Sequence, residues 1–212
     1  YVPSTADTTA GSVIVYFTTT IGNGNCLAAR DSAKITFTAT PTSLITSNDS
    51  SCASDSIHIK VNVSTGSGIW TSNGTGTFYP NSGTLNGTYK PSATDISGGK
   101  VKLIFTSTNN GGCLSSKDTI DVTIMPIPTA SAGSNISVCK DTSSVPVCAI
   151  VTGVTGSLWK TMGTGTFTNA NSLCTTYIPG TADTSAGSVV VYISTVGGIC
   201  STVRDSTIIT FT

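Results

Sequence analysis

One motif returns at a fixed interval along the chain, and this repeat limits the possible folds more than any other feature. The motif reads Tyr-x-Pro-Ser/Gly-x-x-Asp, and its copies begin at Tyr1, Tyr89 and Tyr177, 88 residues apart. Solenoid and propeller repeats have periods of about 20–50 residues, so this period is too long for them. It matches the length of a small domain, and the chain is therefore predicted to contain tandem copies of one domain.

Prolines mark the expected domain boundaries. Pro41 follows one predicted strand, and Pro126 and Pro128 follow its counterpart one period later. We expect a C-terminal part-domain over residues 1–38, one domain over 39–125 and a second over 126–212. Short proline-containing linkers are stiff, so these units are predicted to form a semi-rigid rod cut from a longer repeat array.

Composition excludes several classes of protein. Ten Lys and Arg balance ten acidic residues, and all ten of these are Asp. A neutral chain has no basic surface for nucleic acid. Without Glu or Gln, long helices are not expected. The longest apolar runs, such as residues 189–193, are too short to span a membrane, so no membrane insertion is expected.

Alternating apolar residues predict β-strands. One strand occurs in three copies, over residues 11–18, 99–106 and 187–194. A second predicted strand follows each copy after a turn. Period-two alternation places one face of each strand against a core. The residues expected to face inward are Val13, Val15, Phe17, Ile35, Phe37, Val101, Leu103, Phe105, Val122, Ile124, Val189, Val191, Ile193, Ile209 and Phe211.

The order of these signals favours a particular β-sandwich. In the repeated motif, Ser92 and Asp95 can cap a single helical turn just after Pro91. Trp70 and Trp159 lie on the strand after the first hydrophobic run, where immunoglobulin-like domains bury a Trp on strand C. The predicted fold class is therefore all-β, with tandem immunoglobulin-like antiparallel β-sandwiches arranged as a rod.

The same motifs carry a resemblance to a known family. Each unit reads as Cys, Trp, Gly-Thr-Gly-Thr-Phe, the Tyr-x-Pro motif, a Val-rich strand, Cys, a basic-Asp pair and a Val/Ile-Thr strand. This order resembles the tandem immunoglobulin-like repeats of giant cell-surface adhesins and filament proteins of Bacteroidota. The resemblance implies export by the type IX secretion route, as for gliding-associated adhesins. It does not identify what a given protein binds.

Seven cysteines suggest a set of disulfides. Within residues 39–125 the candidates for a pair are Cys52 and Cys113, and their counterparts one period later are Cys139 and Cys200. Cys148 and Cys174 have no counterpart in the preceding unit and are expected to bond to each other. Cys26 corresponds to Cys113 and Cys200, so its partner is expected upstream of Tyr1.

Neither metal binding nor catalysis is expected. No Cys-x-x-Cys occurs and His58 is the one histidine, so the spacing of a zinc site is lacking. A Ser-His-Asp arrangement fails because Asp55, Ser56 and His58 are strand neighbours, and adjacent strand residues point to opposite faces. No catalytic, cofactor-binding or metal site is therefore predicted. Disulfides indicate an oxidising compartment, hence a secreted, cell-surface protein.

The outward face of the repeated strand is partly apolar. Antiparallel sheets usually carry polar residues on the solvent side. One interpretation is cover by a neighbouring loop. The other is a lateral contact between rods or domains. The residues of this possible contact are Ile14, Tyr16, Ile104, Val190 and Tyr192.

Five short stretches resemble the Asp-Ser/Thr-apolar O-glycosylation signal of Bacteroidota. The hydroxyl residues in them are Thr8, Ser32, Ser56, Thr119 and Ser206. In a chain this rich in Ser and Thr, chance matches compete with this interpretation.

The leading prediction is a non-enzymatic structural and adhesive protein that forms a cell-surface stalk or filament. Its expected partners are neighbouring copies of the same repeat protein, with surface glycans or a host or substratum surface as further candidates. The alternative is a carbohydrate-binding or spacer module of a secreted multidomain enzyme. Such a module needs an exposed aromatic platform, for which Tyr79 is the candidate. The counterpart of Tyr79 is Thr168, which speaks against a repeated sugar site.

Overall fold

The computed structural model describes residues 1–20 and 27–212. Strands dominate this part of the chain, which contains nineteen strands and three helices of six residues each. The all-β prediction is confirmed. Among these described residues, no helix has the length and apolarity needed to cross a membrane.

The elements follow one another in an order that repeats. The first segment contains α1 (Thr5–Ala10), β1 (Ser12–Thr18) and β2 (Arg30–Thr36). The next contains β3 (Ser43–Ile45), β4 (Ser50–Cys52), β5 (Ile57–Val63), β6 (Gly68–Ser72), β7 (Thr77–Tyr79), β8 (Asn86–Lys90), α2 (Ala93–Gly98), β9 (Lys100–Ser107) and β10 (Lys117–Met125). The last contains β11 (Thr129–Ser131), β12 (Ile136–Val138), β13 (Val145–Cys148), β14 (Ile150–Thr152), β15 (Gly156–Thr161), β16 (Thr166–Phe167), β17 (Cys174–Ile178), α3 (Thr181–Ala186), β18 (Ser188–Val196) and β19 (Arg204–Phe211).

Strands β3 to β10 form two sheets that we call the first sandwich. One sheet has the order β3-β5-β8-β7 and the other the order β4-β10-β9-β6. In immunoglobulin terms these are strands A-B-E-D and A′-G-F-C. The A′ strand β4 runs parallel to β10, while the other pairings are antiparallel.

Strands β11 to β19 repeat this plan as the second sandwich. Its A′-G-F-C sheet has the order β12-β19-β18-β15, again with a parallel first pair. In the opposite sheet, strand B is divided into β13 and β14. Strand β13 pairs with β17, whereas β14 pairs with β11.

Each sandwich has its own hydrophobic core. In the first, Trp70 packs edge-on against Phe105, and the Trp70 indole N–H donates to the carbonyl of Thr84 at 2.9 Å. Trp159 occupies the same place in the second, and both Trp side chains are about 1% exposed. The expected burial of a strand C Trp is confirmed. The inward residues predicted on β9, β10, β18 and β19 are also buried.

The first segment differs because its inner face is uncovered. Strands β1 and β2 form a two-stranded sheet, and no other described strand faces it. Phe17, expected to face a core, is 72% exposed, whereas its counterpart Phe105 is fully buried. Val13, Val15, Ile35 and Phe37 are half-buried. A hairpin with no opposing sheet buries little apolar surface.

The repeated motif forms the expected helical turn. Ser92 caps α2 through a hydrogen bond from the Asp95 N–H, and the Asp95 carboxylate accepts from the Ser92 N–H in return. Ser4 and Asp7 make the same capping box at α1. At α3 the cap is Gly180, which supplies its backbone N–H but no side chain.

Candidate functional site

The candidate site is the junction between the two sandwiches, where a disulfide joins Cys52 to Cys200. Their Cα atoms are 5.1 Å apart, although 148 residues separate them in sequence. Cys52 ends β4, and Cys200 lies in the loop between β18 and β19, which we call the F–G loop. The end of one sandwich is therefore covalently joined to the facing loop of the next.

The expected pairs Cys52–Cys113 and Cys139–Cys200 are wrong. Because β4 runs parallel to β10, Cys52 lies beside Met125 at the end of β10, whereas Cys113 precedes the start of β10. Strand β10 has nine residues, so at about 3.3 Å per residue its ends lie roughly 26 Å apart. A disulfide requires Cα atoms within about 7 Å. Cys139 and Cys200 are separated by β19 in the same way.

The remaining cysteines have different environments. A disulfide joins Cys148 to Cys174, which lie opposite each other on β13 and β17. This pair is the expected one, because neither cysteine has a counterpart in the preceding unit. Cys113 and Cys139 carry free thiols. Cys26 lies outside the described residues, so its expected upstream partner stays a prediction.

An open cleft adjoins the junction. Its lining includes Cys52, Ser54, Asp55, His58 and Ile199. His58 is exposed on β5, as expected for the polar side of that strand, and pairs across the sheet with Thr88. The cleft brings the F–G loop of the second sandwich beside the start of β5 in the first, so the junction is a contact between sandwiches in addition to the disulfide.

A buried tyrosine–aspartate pair explains most of the repeated motif, and sequence reasoning missed it. The Tyr89 hydroxyl donates to the Asp95 carboxylate at 2.9 Å, and that carboxylate also accepts from the backbone N–H groups of Thr75, Gly76 and Ser92. In the second sandwich, Tyr177 and Asp183 are joined in the same way at 2.7 Å. The motif thus ties the turn after strand E to the C–D turn of the same sandwich.

These contacts set the charge state of the aspartates. Although burial works against the charged form, backbone N–H groups of Ser92 and Thr75 hold the pKa of Asp95 below its usual range. In the second sandwich, burial is again outweighed, here by the N–H of Thr164 and the hydroxyl of Tyr177, and the pKa of Asp183 is lowered. Both aspartates are therefore buried charges whose role is structural.

Two glycines in the Gly-Thr-Gly turn make this arrangement possible. A Cβ atom at Gly76 would overlap the Tyr89 ring and the carbonyl oxygen of Lys90. At Gly165 it would overlap Tyr177 and the carbonyl oxygen of Ile178. The turn therefore approaches the tyrosine more closely than any other residue type allows.

The basic-Asp pairs have two separate roles. Asp118 accepts from the Ile45 N–H at 2.7 Å and Asp205 from the Ala132 N–H at 2.9 Å, so each joins strand A to strand G. The Arg204 guanidinium lies over the Tyr192 ring at 5.5 Å, and Arg30 lies over Tyr16 at 3.6 Å. The Arg side chains thus cover part of the predicted lateral contact.

The outward faces of the two sandwiches differ. In the second, the structure brings Val190 and Tyr192 together with Met162 and Ile208, which are 77% and 41% exposed. Sequence reasoning missed both residues because Met162 lies in the C–D turn after β15 and Ile208 lies on β19, outside the repeated strand. In the first, Ile104 lies between Thr71 and Thr119. A Lys102–Asp121 ion pair at 3.8 Å adds charge there. The apolar patch is therefore confined to the second sandwich. In the first segment, Ile14 and Tyr16 are 49% and 56% exposed.

Three predicted glycosylation residues lie directly across a strand pair from three predicted contact residues. The pairs are Ser32 with Tyr16, Thr119 with Ile104 and Ser206 with Tyr192. All five hydroxyl residues, Thr8, Ser32, Ser56, Thr119 and Ser206, are exposed. A glycan at Ser206 would lie beside Tyr192, so the predicted glycosylation and the predicted lateral contact would occupy the same surface.

The candidate for a sugar platform is one exposed aromatic residue. Tyr79 is 72% exposed at the end of β7 and makes no aromatic pair. Its counterpart Thr168 directly follows β16. The described part of the chain therefore does not repeat this feature.

No protein-family model matches the chain. No curated protein matches its sequence. Among solved structures, the chain is similar to cadherin domains 3–6 of protocadherin gamma B2, with 9% identity and a TM-score of 0.42 over 97% of this chain and 61% of that one. It is also similar to the human desmocollin-1 ectodomain, with 11% identity and a TM-score of 0.39 over 97% of this chain and 49% of that one. The chain is similar as well to the immunoglobulin domains 1–5 of Sidekick-1, with 13% identity and a TM-score of 0.35 over 99% of this chain and 46% of that one.

The chain spans less than two thirds of the length of these structures. At such low identities and TM-scores, the similarity carries no argument about binding or activity.

Proposed function

We propose that this chain is a non-enzymatic structural and adhesive protein, secreted to the cell surface, whose sandwiches act as consecutive units of a stalk or filament. The observation that carries the proposal is the Cys52–Cys200 disulfide, which joins the end of one sandwich to the next. A disulfide between successive units limits bending at their junction. It also belongs to an oxidising, extracellular environment.

The proposal keeps the units predicted from the repeat. Residues 39–125 and 126–212 are two complete immunoglobulin-like domains, and residues 1–38 are the C-terminal part of another. The expected E-F-G part is reduced to the helical turn and strands F and G, because the described residues before α1 form no strand. Separate hydrophobic cores on either side of residues 126–128 support this division. The resemblance to repeats of Bacteroidota surface proteins supports the further proposal that the chain is part of a giant adhesin or filament protein exported by the type IX secretion route.

Neighbouring copies of the same protein are the proposed partners. The apolar patch of Met162, Val190, Tyr192 and Ile208 supports lateral packing of stalks. Tyr192→Lys places a charge in this patch, and we expect it to weaken self-association measured by analytical ultracentrifugation. Tyr79→Lys is the matched control, because it adds the same charge at an exposed tyrosine of the first sandwich, outside the patch. Equal self-association of both variants and the unaltered protein would exclude the patch as a contact.

A sugar-binding module is the second candidate. The observation in its favour is the exposure of Tyr79 on β7. Tyr79→Ala would abolish binding to a glycan array if this candidate were right. Under the stalk proposal, the Tyr79→Ala variant and the unaltered protein give the same signal on the array.

Cryo-electron microscopy of surface material sheared from the producing cells tests the main proposal. Rods or filaments with beads spaced at the length of one sandwich are the expected result. Strand β10, with nine residues, gives that length as roughly 3 nm. Compact particles with no beaded extension would contradict the proposal.

A further inference from the structure

The two free thiols occupy the same positions in the repeat as the two bonded cysteines. The Cys200 Sγ atom lies 3.5 Å from the carbonyl oxygen of Pro126, where the chain enters the second sandwich. The Cys113 Sγ atom lies 4.0 Å from the carbonyl oxygen of Ala39, the counterpart of Pro126, and 3.6 Å from that of Thr38, where the chain enters the first. Cys113 is therefore held at the entrance of its sandwich in the same way as Cys200.

Cys139 reproduces the setting of Cys52. Cys52 is the last residue of the A′ strand β4, and Cys139 directly follows the A′ strand β12. Both A′ strands run parallel to strand G of their sandwich. The residue after Cys52 donates its N–H to the carbonyl of Met125 at 2.8 Å, and the residue after Cys139 donates to that of Thr212 at 2.9 Å. Cys52 is 3% exposed in its disulfide, whereas Cys139 is exposed with a free thiol.

We propose that Cys52–Cys200 is one link of a repeating disulfide series, and that Cys139 and Cys113 form the neighbouring links. Cys139 would bond to the F–G-loop cysteine of a following repeat. Cys113 would bond to the A′-strand cysteine of a preceding repeat. This inference rests on the stalk function proposed above and deepens it, because it names a cysteine of a neighbouring repeat as the partner at each end of the two sandwiches.

The space beside Cys113 fits such a partner. An open cleft there is lined by Thr8, Phe37, Thr38, Gly111 and Cys113, among others. It lies at the end of β2, the strand that corresponds to β10 and β19. In both sandwiches an A′ strand lies along that edge, and at β2 no described strand does. An A′ strand in this cleft would bring its terminal cysteine to Cys113.

The bond forms by ordinary thiol oxidation. Two thiols lose two protons and two electrons, one S–S bond forms, and a disulfide-bonded oxidant is reduced to its two thiols. Cys113 and Cys139 lie outside the two hydrophobic cores, and neither is buried, so an oxidant can reach them before the repeats close.

An extended chain tests the inference. Residues 39–125 are appended directly after Thr212, which places the second copy of Cys113 148 residues after Cys139, the separation found between Cys52 and Cys200. The protein is oxidised with a glutathione redox buffer, its monomer is isolated, and free thiols are alkylated. Tryptic digestion without reduction then gives the peptides of residues 118–140 and 103–117, which carry Cys139 and Cys113.

The expected result is a disulfide-linked pair of these two peptides in nearly every monomer. Replacing the appended copy of Cys113 by Ser should remove this pair, whereas Cys113→Ser in the original position should leave it unchanged. Alkylated Cys139 in the extended monomer, or a link that survives in the first variant, would overturn the inference. Electron micrographs of the same samples keep the two proposals apart, since extended rods without the link would overturn the disulfide series but leave the stalk intact.

Discussion

Cys52 and Cys200 belong to different sandwiches, yet their Cα atoms lie 5.1 Å apart in a disulfide. The parallel pairing of β4 with β10 carries Cys52 to the end of the first sandwich. The F–G loop of the second sandwich presents Cys200 to the same point. The junction is therefore held both by the backbone of residues 126–128 and by a covalent bond from strand A′.

Removing this bond should loosen the junction. We expect the double variant Cys52→Ser, Cys200→Ser to show a broader distance distribution in small-angle X-ray scattering, because only the linker and the noncovalent contact of the F–G loop then restrain the two sandwiches. The control is the double variant Cys148→Ala, Cys174→Ala, whose scattering should match that of the unaltered protein. Identical distributions for all three proteins would mean that the linker and the noncovalent contact fix the junction without the disulfide.

The second disulfide should stabilise its own sandwich. The Cys148–Cys174 bond spans 26 residues, and closing a loop of that length contributes about 3 kcal/mol to the free energy of unfolding. Each sandwich contains one Trp, so fluorescence of Trp159 in a Trp70→Phe background reports on the second. The Cys148→Ala, Cys174→Ala variant should lose stability there. A loss reported instead by Trp70, in the reciprocal Trp159→Phe background, would contradict this assignment.

The Tyr–Asp pairs predict the response to acid. The pKa of Asp95 is lowered by its hydrogen bonds, so its contribution to stability is fully present above the usual carboxyl pKa of 3.8 and is lost as the pH falls below it. Asp95→Asn should cost about 2–4 kcal/mol at pH 7, because an amide N–H₂ then faces backbone donors. In acid the cost should shrink. Urea unfolding followed by Trp70 fluorescence measures the cost of the substitution at pH 7 and in acid. A cost that stays constant from pH 7 to pH 3 would contradict the ionised state of Asp95.

The turn glycines should tolerate no side chain. Gly165→Ala would force the turn away from Tyr177 and should destabilise the second sandwich by about 3 kcal/mol or more. Gly98→Ala is the matched control, since a Cβ at Gly98 meets nothing within 4 Å. That change should be neutral or stabilise helix α2 slightly. Equal melting temperatures for both variants would show that the close approach at Gly165 does not matter.

The sequence predicted the features that depend on local pattern. Alternation identified the inward residues of β9 and β18, the capping box followed from Ser92 and Asp95, and the position of Trp70 indicated strand C. The disulfide pairs were wrong because counting cysteines per unit ignores which end of a strand each occupies. Cys52 and Cys113 belong to the same unit, but the length of β10 separates them in space.

Other features depend on contacts between distant segments. The Gly-Thr-Gly turn and the Tyr-x-Pro motif were each recognised, but their joining through Asp95 required the D and E strands to be in place. The apolar patch of the second sandwich likewise combines Met162 from the C–D turn with Ile208 from strand G. The repeated motif could have suggested that its polar residues meet, since all three copies keep the same Tyr and Asp.

Peptide mapping of the oxidised, unreduced chain tests the central claim most directly. Trypsin releases Cys52 in residues 35–60, Cys200 together with Cys174 in residues 161–204, and Cys148 in residues 141–160. The structure predicts one disulfide-linked species that contains all three peptides and is resolved by reduction into its parts. A species that links residues 35–60 to residues 103–117 would mean that Cys52 bonds to Cys113 within one sandwich, and would contradict the covalent junction.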